Sequence, residues 1–265
     1  MSIPARRSAI ALAALTLVLG SATFAAATVT QTGALRVSVN GQLSPSKLPR
    51  KGLAPISVQV GWDIASTDGS VPPKLESLEI EINRHGKFDY AGLPTCPVAK
   101  IQPATTERAL SNCRPSLVGK GTFNAEVALR GQEGESYETG GQLLIFKSEA
   151  GRKPVLYGQI YSAHPFASSF VIPFEVRTKK KGSFGTVLAA TLPTALRSWG
   201  NLTGIELKLK RTYAYKGTRH SFLSAGCPAP KGFTQASFKL ARTSFAFDDG
   251  KKISSTVSET CRARG

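Results

Sequence analysis

The sequence lacks most of the motifs that identify an enzyme. It has no Gly-x-Ser-x-Gly motif, and its three histidines, His85, His164 and His220, are scattered near predicted turns. A nucleophilic serine or cysteine needs a histidine and an orienting acid beside it, and no such context appears. The four cysteines have no Cys-x-x-Cys spacing, so we expect no zinc site. We therefore expect no catalytic residue, metal or cofactor, and the sequence favours a protein that is not an enzyme.

Paired carboxylates are the remaining route to catalysis, because two of them can hydrolyse a glycosidic bond. Glu79 and Glu81 share one face of a predicted strand, and Asp248 and Asp249 occupy a predicted turn. An outward polar face and a turn explain both pairs without any catalytic role. A secreted hydrolase that acts on cell-wall or extracellular carbohydrate is kept as the alternative function.

Beyond the N-terminus, no apolar stretch is long enough to span a membrane. Arg6 and Arg7 precede an uncharged apolar run from Ala9 to Leu19, and Ala25 to Ala27 offer small residues to a signal peptidase. We predict a signal peptide over residues 1–27, cleaved after Ala27, and a secreted or cell-envelope location. A segment that stays uncleaved as an anchor is the alternative.

The four cysteines, Cys96, Cys113, Cys227 and Cys261, predict two disulfides, because an even number in an exported chain is typical of oxidised pairs. Three pairings are open. The sequential one, Cys96–Cys113 with Cys227–Cys261, is favoured because each pair brackets one local block of sequence.

Short apolar runs with period-two alternation dominate the chain. The densest stretch, Gln142 to Val176, contains three runs of strand length separated by Gly, Pro or Ser. Every second residue from Ile56 to Ile64 is apolar, and turn signals recur about every ten residues. We predict an all-β fold, an antiparallel β-sandwich of about a dozen strands with one short helical turn near residues 103–110.

Alternation also makes three local predictions. Asn40-Gly41 is a tight-turn signal after the first strand. Glu79 and Glu81 should face outward. The apolar residues before Ala241 and after Ser244 have opposite parity, so that strand needs a bulge or bend between these two residues.

About 238 residues remain after cleavage, enough for one large all-β domain. We predict a single β-sandwich domain over residues 28–265. The alternative is two sandwich halves, 28–135 and 136–265, joined in the acidic Gly131–Gly140 loop.

The chain is strongly basic, with a formal charge of +17, or +15 without Arg6 and Arg7. Such a charge favours contact with polyanions, for example an anionic cell-wall or envelope polymer. Nucleic acid is disfavoured by export and by the absence of a known binding motif. Two tyrosines lie among the basic residues, and aromatic rings beside cations suit sugars or headgroups. The candidate polyanion-binding residues are Lys179, Lys180, Lys181, Lys208, Lys210, Arg211, Tyr213 and Tyr215.

Four segments together resemble those of uncharacterised secreted β-rich proteins of high-GC Gram-positive bacteria. They are Leu43-Ser44-Pro45 with Leu48-Pro49-Arg50, Leu93-Pro94-Thr95-Cys96, Val118-Gly119-Lys120-Gly121 and Cys227-Pro228-Ala229-Pro230. These are loop and cysteine markers, so the resemblance implies a shared scaffold over most of the mature chain and no particular reaction. The sequence thus predicts a non-catalytic, exported bacterial protein that binds an anionic surface polymer through basic strand faces and loops.

Overall fold

The computed structural model describes residues 26–128 and 136–264, and most of these residues lie in strands. The predicted all-β fold is confirmed. The strands of the described part are β1 (Ala26–Thr32), β2 (Leu35–Ser44), β3 (Lys47–Pro49), β4 (Ala54–Pro55), β5 (Ser57–Ser66), β6 (Leu75–Asn83), β7 (Gly86–Phe88), β8 (Leu117–Ala128), β9 (Ser136–Ala150), β10 (Lys153–Ser162), β11 (Ser168–Thr178), β12 (Phe184–Thr191), β13 (Asn201–Leu209), β14 (Thr212–Tyr215), β15 (Thr218–Ser221), β16 (Leu223–Ala225), β17 (Gln235–Phe247) and β18 (Lys252–Arg264). The helices are α1 (Thr106–Cys113) and α2 (Thr194–Trp199), with single 3-10 turns at Val98–Lys100 and Arg114–Ser116.

Thirteen strands form one continuous sheet in the order β1-β2-β5-β13-β8-β9-β10-β11-β12-β6-β17-β18-β3. Neighbouring strands are antiparallel except β18 and β3, which are parallel. The sheet curls until β1 lies against β18, where the Thr28 hydroxyl donates to the Thr256 carbonyl oxygen at 3.0 Å. In place of the two stacked sheets of the predicted β-sandwich, the opposite walls belong to one sheet, because each strand pairs with the next without a break.

The interior of the curl is filled by side chains from every second strand position, as the pleat requires. On β2 the odd-numbered residues from Leu35 to Leu43 are buried. The strand continues through Asn40-Gly41, so the predicted turn there is wrong. Gly41 faces the core opposite Leu240 and Val257, and a Cβ atom at this position would lie 3.3 Å from each of those side chains. The tight approach explains a glycine inside a strand.

The predicted bulge in β17 is confirmed, and it lies at Leu240, one residue before the predicted span. The register of β17 against β18 shifts between Lys239 and Ala241. The extra residue, Leu240, changes the parity of the strand, so that Leu240 itself and Phe245 after it are both buried in the core.

Both disulfides of the sequential pairing are confirmed, Cys96–Cys113 and Cys227–Cys261. The first one closes a block, residues 94–113, that packs on the outer face of β9 and β10. There the Cys96 N–H donates to the Lys147 carbonyl oxygen at 3.0 Å. The Gln159 side chain donates to the carbonyl oxygen of Ala104 at 3.1 Å.

The predicted helical turn near residues 103–110 lies slightly later, at α1. Its first turn is capped by the Thr105 hydroxyl, which accepts a hydrogen bond from the Arg108 N–H at 3.3 Å. Ala109 and Cys113 are buried on its inner side, so the helix is held by the disulfide block.

A small sheet, β4-β16-β7, covers one end of the curled sheet. One residue separates β4 from β5 and two residues separate β6 from β7, while β5 and β6 stand on distant parts of the large sheet. A sheet that joins them must therefore cross that end. The Cys227–Cys261 disulfide links the segment after β16 to β18. At the opposite end α2 buries Leu196 and Trp199.

Two predictions fall wholly or partly outside the described residues. Most of the predicted signal peptide, residues 1–25, lies outside them, and β1 begins at Ala26. Residues 131–135 of the predicted acidic loop, Gly131–Gly140, also lie outside them, and β9 begins at Ser136, so residues 136–140 form a strand and not a loop. Within residues 26–128 and 136–264, no helix is long and apolar enough to cross a membrane.

Candidate binding site

The basic loops of the chain share one end of the curled sheet. Successive strands of an antiparallel sheet run in opposite directions, so β2, β13, β9, β11, β6 and β18 all finish at the same end. We call this end the basic end. It comprises the segments 45–56, 84–93, 114–116, 151–152, 179–183 and 210–234.

The basic end holds most of the formal net charge of +17 that the chain carries. Its segments contain fifteen Lys and Arg residues and one acidic residue, Asp89, which gives a formal net charge of +14. The basic residues are Lys47, Arg50, Lys51, Arg84, Lys87, Arg114, Arg152, Lys179, Lys180, Lys181, Lys210, Arg211, Lys216, Arg219 and Lys231. All except Arg50 and Arg211 are exposed. The described connections at the opposite end contain three basic and three acidic residues.

Five of the predicted candidate residues lie within basic-end segments as free or paired cations. Lys180 and Lys181 are exposed and form no ion pair with a described residue. Lys179 is bound to the carboxylate of Glu81. Lys210 is exposed, and Arg211 donates to the Pro115 carbonyl oxygen at 3.4 Å.

Lys208 lies on the outer face of β13, just below the basic end. It is exposed and stands directly opposite Lys120 of β8. Two like charges at opposed positions repel each other, which is unfavourable for folding and favourable for an anion placed between them.

Tyr213 and Tyr215 pack on their own hairpin. The Tyr213 ring stacks on His220 with centroids 5.6 Å apart, and the Tyr215 ring meets the same imidazole edge-on at 5.8 Å. A Cβ atom on Gly92 would lie 2.1 Å from the Tyr215 ring, so that ring sits directly over the glycine. The two tyrosines therefore hold the β14–β15 hairpin in place.

Asp89 fixes the position of that hairpin from the facing loop. Its carboxylate oxygen lies 2.9 Å from His220 Nδ1, and its carbonyl oxygen accepts from the Tyr213 hydroxyl at 3.4 Å. Burial alone would raise the pKa of the Asp89 carboxyl, but hydrogen bonds from His220 and from the Ala91 N–H hold the pKa below its ordinary value.

Glu81 is a buried carboxylate at the edge of the basic end, although alternation predicted an outward position for it. Its side chain is 4% exposed because Lys179 and Arg242 cover it and both bind it. Burial alone would raise the pKa of Glu81, but the hydrogen bonds and charges of Lys179 and Arg242 lower it below its ordinary value. Glu79, the other predicted outward glutamate, is exposed.

An apolar cavity of about 130 Å³ runs through the interior of the curled sheet. It is lined by inward-facing residues of β5, β6 and β13, among others, and it reaches the basic end at His85, Lys87 and Ser224. The sequence did not predict this cavity. Its lining residues have the same alternating pattern as a filled core, so no sequence signal distinguishes the two.

A second, polar cleft of about 590 Å³ lies towards the opposite end. Asp63, Glu126 and Glu138 are among its lining residues, and Glu126 and Glu138 stand directly opposite each other on β8 and β9. Burial and the nearby charge of Glu138 raise the pKa of Glu126. Neither glutamate forms an ion pair with a residue of the described chain.

No group of three or more His, Cys, Asp or Glu side chains in the described ranges could hold a metal ion. No protein-family model, curated protein or solved structure matches this chain.

We predict that removing the two cations around Glu81 lowers the free energy of unfolding more than removing the Glu81 carboxylate does. Replacing both cations by methionine, Lys179→Met with Arg242→Met, leaves a buried carboxylate without a partner and should lower the free energy of unfolding by about 3–5 kcal/mol at pH 7. Glu81→Gln leaves two half-exposed cations that water can solvate, so it should cost only about 1–2 kcal/mol. Urea denaturation of the three proteins measures both values.

The pH dependence provides the control. The pKa of Glu81 is lower in the folded state, so its stabilising effect is present above the unfolded pKa and is lost as the pH falls. The gap between the wild type and Glu81→Gln should therefore shrink from pH 7 to pH 3. The account would be contradicted if both variants lost the same free energy of unfolding and if the gap between wild type and Glu81→Gln were the same at pH 3 as at pH 7.

Proposed function

We propose that this chain is an exported, non-catalytic protein that binds an anionic surface polymer through its basic end. Two disulfides, together with the lack of a membrane-spanning helix in the described residues, fit an extracellular protein. The predicted signal peptide supports export.

One observation carries this proposal, the net charge of +14 on segments that converge at one end of the molecule. Fields from many like charges add over such a surface and attract an anion from a distance. A polymer with a repeated phosphate or carboxylate can make many weak contacts at once, and its total affinity then far exceeds that of one contact. A small anion would use only a fraction of this surface.

Hydrogen bonds and ion pairs distinguish the basic residues that hold the structure together from those that are available to a ligand. Arg50 donates to the Ala229 carbonyl oxygen at 2.9 Å and to the Phe233 carbonyl oxygen at 2.7 Å, so it fixes loop structure. Lys179 neutralises Glu81. In the described structure Lys180 and Lys181 neither fix a loop nor neutralise a carboxylate. They are therefore the cations that we expect to contact the polymer.

Charge reversal tests the proposal. The variant Lys180→Glu with Lys181→Glu should bind purified cell wall at least about fivefold more weakly, because it removes two attractive charges and adds two repulsive ones. The matched control, Arg36→Glu with Lys252→Glu, makes the same charge change with exposed residues at the opposite end. It should bind much as the wild type does. Sedimentation of the protein with insoluble wall measures both.

Salt dependence is the second readout of the same assay. Retention of the wild type should fall steeply as ionic strength rises, because screening weakens contacts between exposed charges. Salt-insensitive retention, or equal losses in the two reversed variants, would count against the basic end as the binding surface.

A hydrolase is the second candidate, and the polar cleft is the observation that favours it. Directly opposed residues have Cβ atoms about 4.5–5.5 Å apart, which suits two carboxylates that cooperate on a glycosidic bond. A glutamate with a raised pKa, as at Glu126, can serve as the general acid, and Glu138 opposite it is the candidate second carboxylate. Glu79 and Glu81, the pair noted in the sequence, lie outside this cleft.

Glu126→Gln separates the two candidates. A raised folded pKa means that stability is lost as the pH rises through the unfolded value, so the variant should be more stable than the wild type at pH 7 and equal to it at pH 3. If the cleft is catalytic, the wild type releases soluble sugar from labelled wall and the variant does not. Glu79→Gln, at an exposed glutamate outside the cleft, is the control. Release that survives Glu126→Gln excludes this pair as the catalytic one.

A further inference from the structure

The interior of the curled sheet offers a binding site of a different kind. We propose that the apolar cavity binds one linear alkyl chain of an anionic amphiphile, with the anionic group held at the basic end. This goes beyond the binding of a polymer, because it uses the inside of the sheet and requires no contact with Lys180 or Lys181.

The shape of the cavity favours a thin ligand. Its lining includes both Leu75 and Asn83, the first and last residues of β6. Eight steps of about 3.3 Å separate these residues along the strand, a distance of roughly 26 Å. The 130 Å³ of the cavity is the space open to the centre of a water molecule, and spread over such a length it describes a narrow channel. A linear chain can fill it, whereas a fused-ring molecule of similar volume cannot.

The walls are apolar and incompletely packed. Val58, Ile80, Ile82, Ile205 and Leu207 all line the cavity and pack against the core, yet each is only partly buried. Part of the apolar surface of each side chain is therefore not in contact with other side chains. An alkyl chain would cover it, and removal of apolar surface from water drives such binding.

The two ends of the cavity differ. At the basic end the lining includes the exposed residues His85 and Lys87, together with Ser224 of the small covering sheet. At the other end α2 closes the curl with the buried side chains of Leu196 and Trp199. A chain must therefore enter from the basic end, and its charged group stays among cations. This matches the polarity of a fatty acid or of an anionic lipid.

The probes are sodium palmitate below its critical micelle concentration and, in a separate arm, vesicles of phosphatidylglycerol. Palmitate should bind in titration calorimetry, and the binding should persist in high salt, because burial of the chain is not screened. Acetate and adamantane carboxylate should not bind, since one lacks the chain and the other has the wrong shape. Transfer of one acyl lipid from vesicles to the protein, seen by native mass spectrometry, would identify a lipid as the source.

Cavity filling tests the location. Val60→Phe, on the cavity wall, should weaken palmitate binding by about tenfold or more, because the added ring occupies the path of the chain. Val29→Phe makes the same change at an exposed position of β1 and should leave the affinity unchanged. Circular dichroism checks that each variant is folded.

A second measurement does not depend on a variant. Stearate with a nitroxide near the end of its chain should broaden the amide resonances of β5, β6 and β13 more than those of β1 or α1. Broadening limited to outer surfaces, or no binding of palmitate and no lipid transfer to the folded protein, would overturn the proposal. Because Lys180→Glu with Lys181→Glu should leave chain binding intact, failure here is distinguishable from failure of polymer binding.

Discussion

The antiparallel hydrogen-bond ladder is the constraint on which the proposed function depends. Because strand direction alternates around the curled sheet, every second connection emerges at the same end. Segments as distant in sequence as 45–56, 179–183 and 210–234 are thereby brought to one rim. Each of these three segments carries a formal charge of between +3 and +5, and the six segments of the basic end together carry +14. A different strand order would spread the same residues over both ends and would leave no surface with such a strong field.

The same ladder also creates the interior. A sheet that curls until β1 meets β18 has one continuous inner face, and alternation lines that face with apolar side chains. The small covering sheet lies across the basic end and is linked to β18 by Cys227–Cys261, while α2 closes the other end with apolar side chains. The molecule is therefore asymmetric along its axis in charge and in access. Both proposals, the surface one and the interior one, depend on this asymmetry.

The sequence predicted local features of the fold correctly where neighbouring residues alone determine them. The parity change around Leu240 required a bulge, and each cysteine pair bracketed one block. The turn predicted at Asn40-Gly41 was wrong, because the glycine is required by a close approach to Val257 inside a strand. Glu81 was predicted to face solvent, and it does lie on the outer face. Its burial comes from Lys179 and Arg242, which only the sheet order brings above it. The cavity and the opposed pair Glu126–Glu138 likewise depend on pairing between distant strands.

A hydrogen-exchange footprint tests the central claim most directly. Amide exchange of the whole protein would be compared with and without an excess of inorganic polyphosphate, a simple polyanion, at low ionic strength. The account predicts slower exchange at the basic end, above all in segments 179–183 and 210–234, and unchanged exchange in the connections 67–74 and 248–251. Protection spread evenly over both ends, or confined to the end that carries α2, would contradict it.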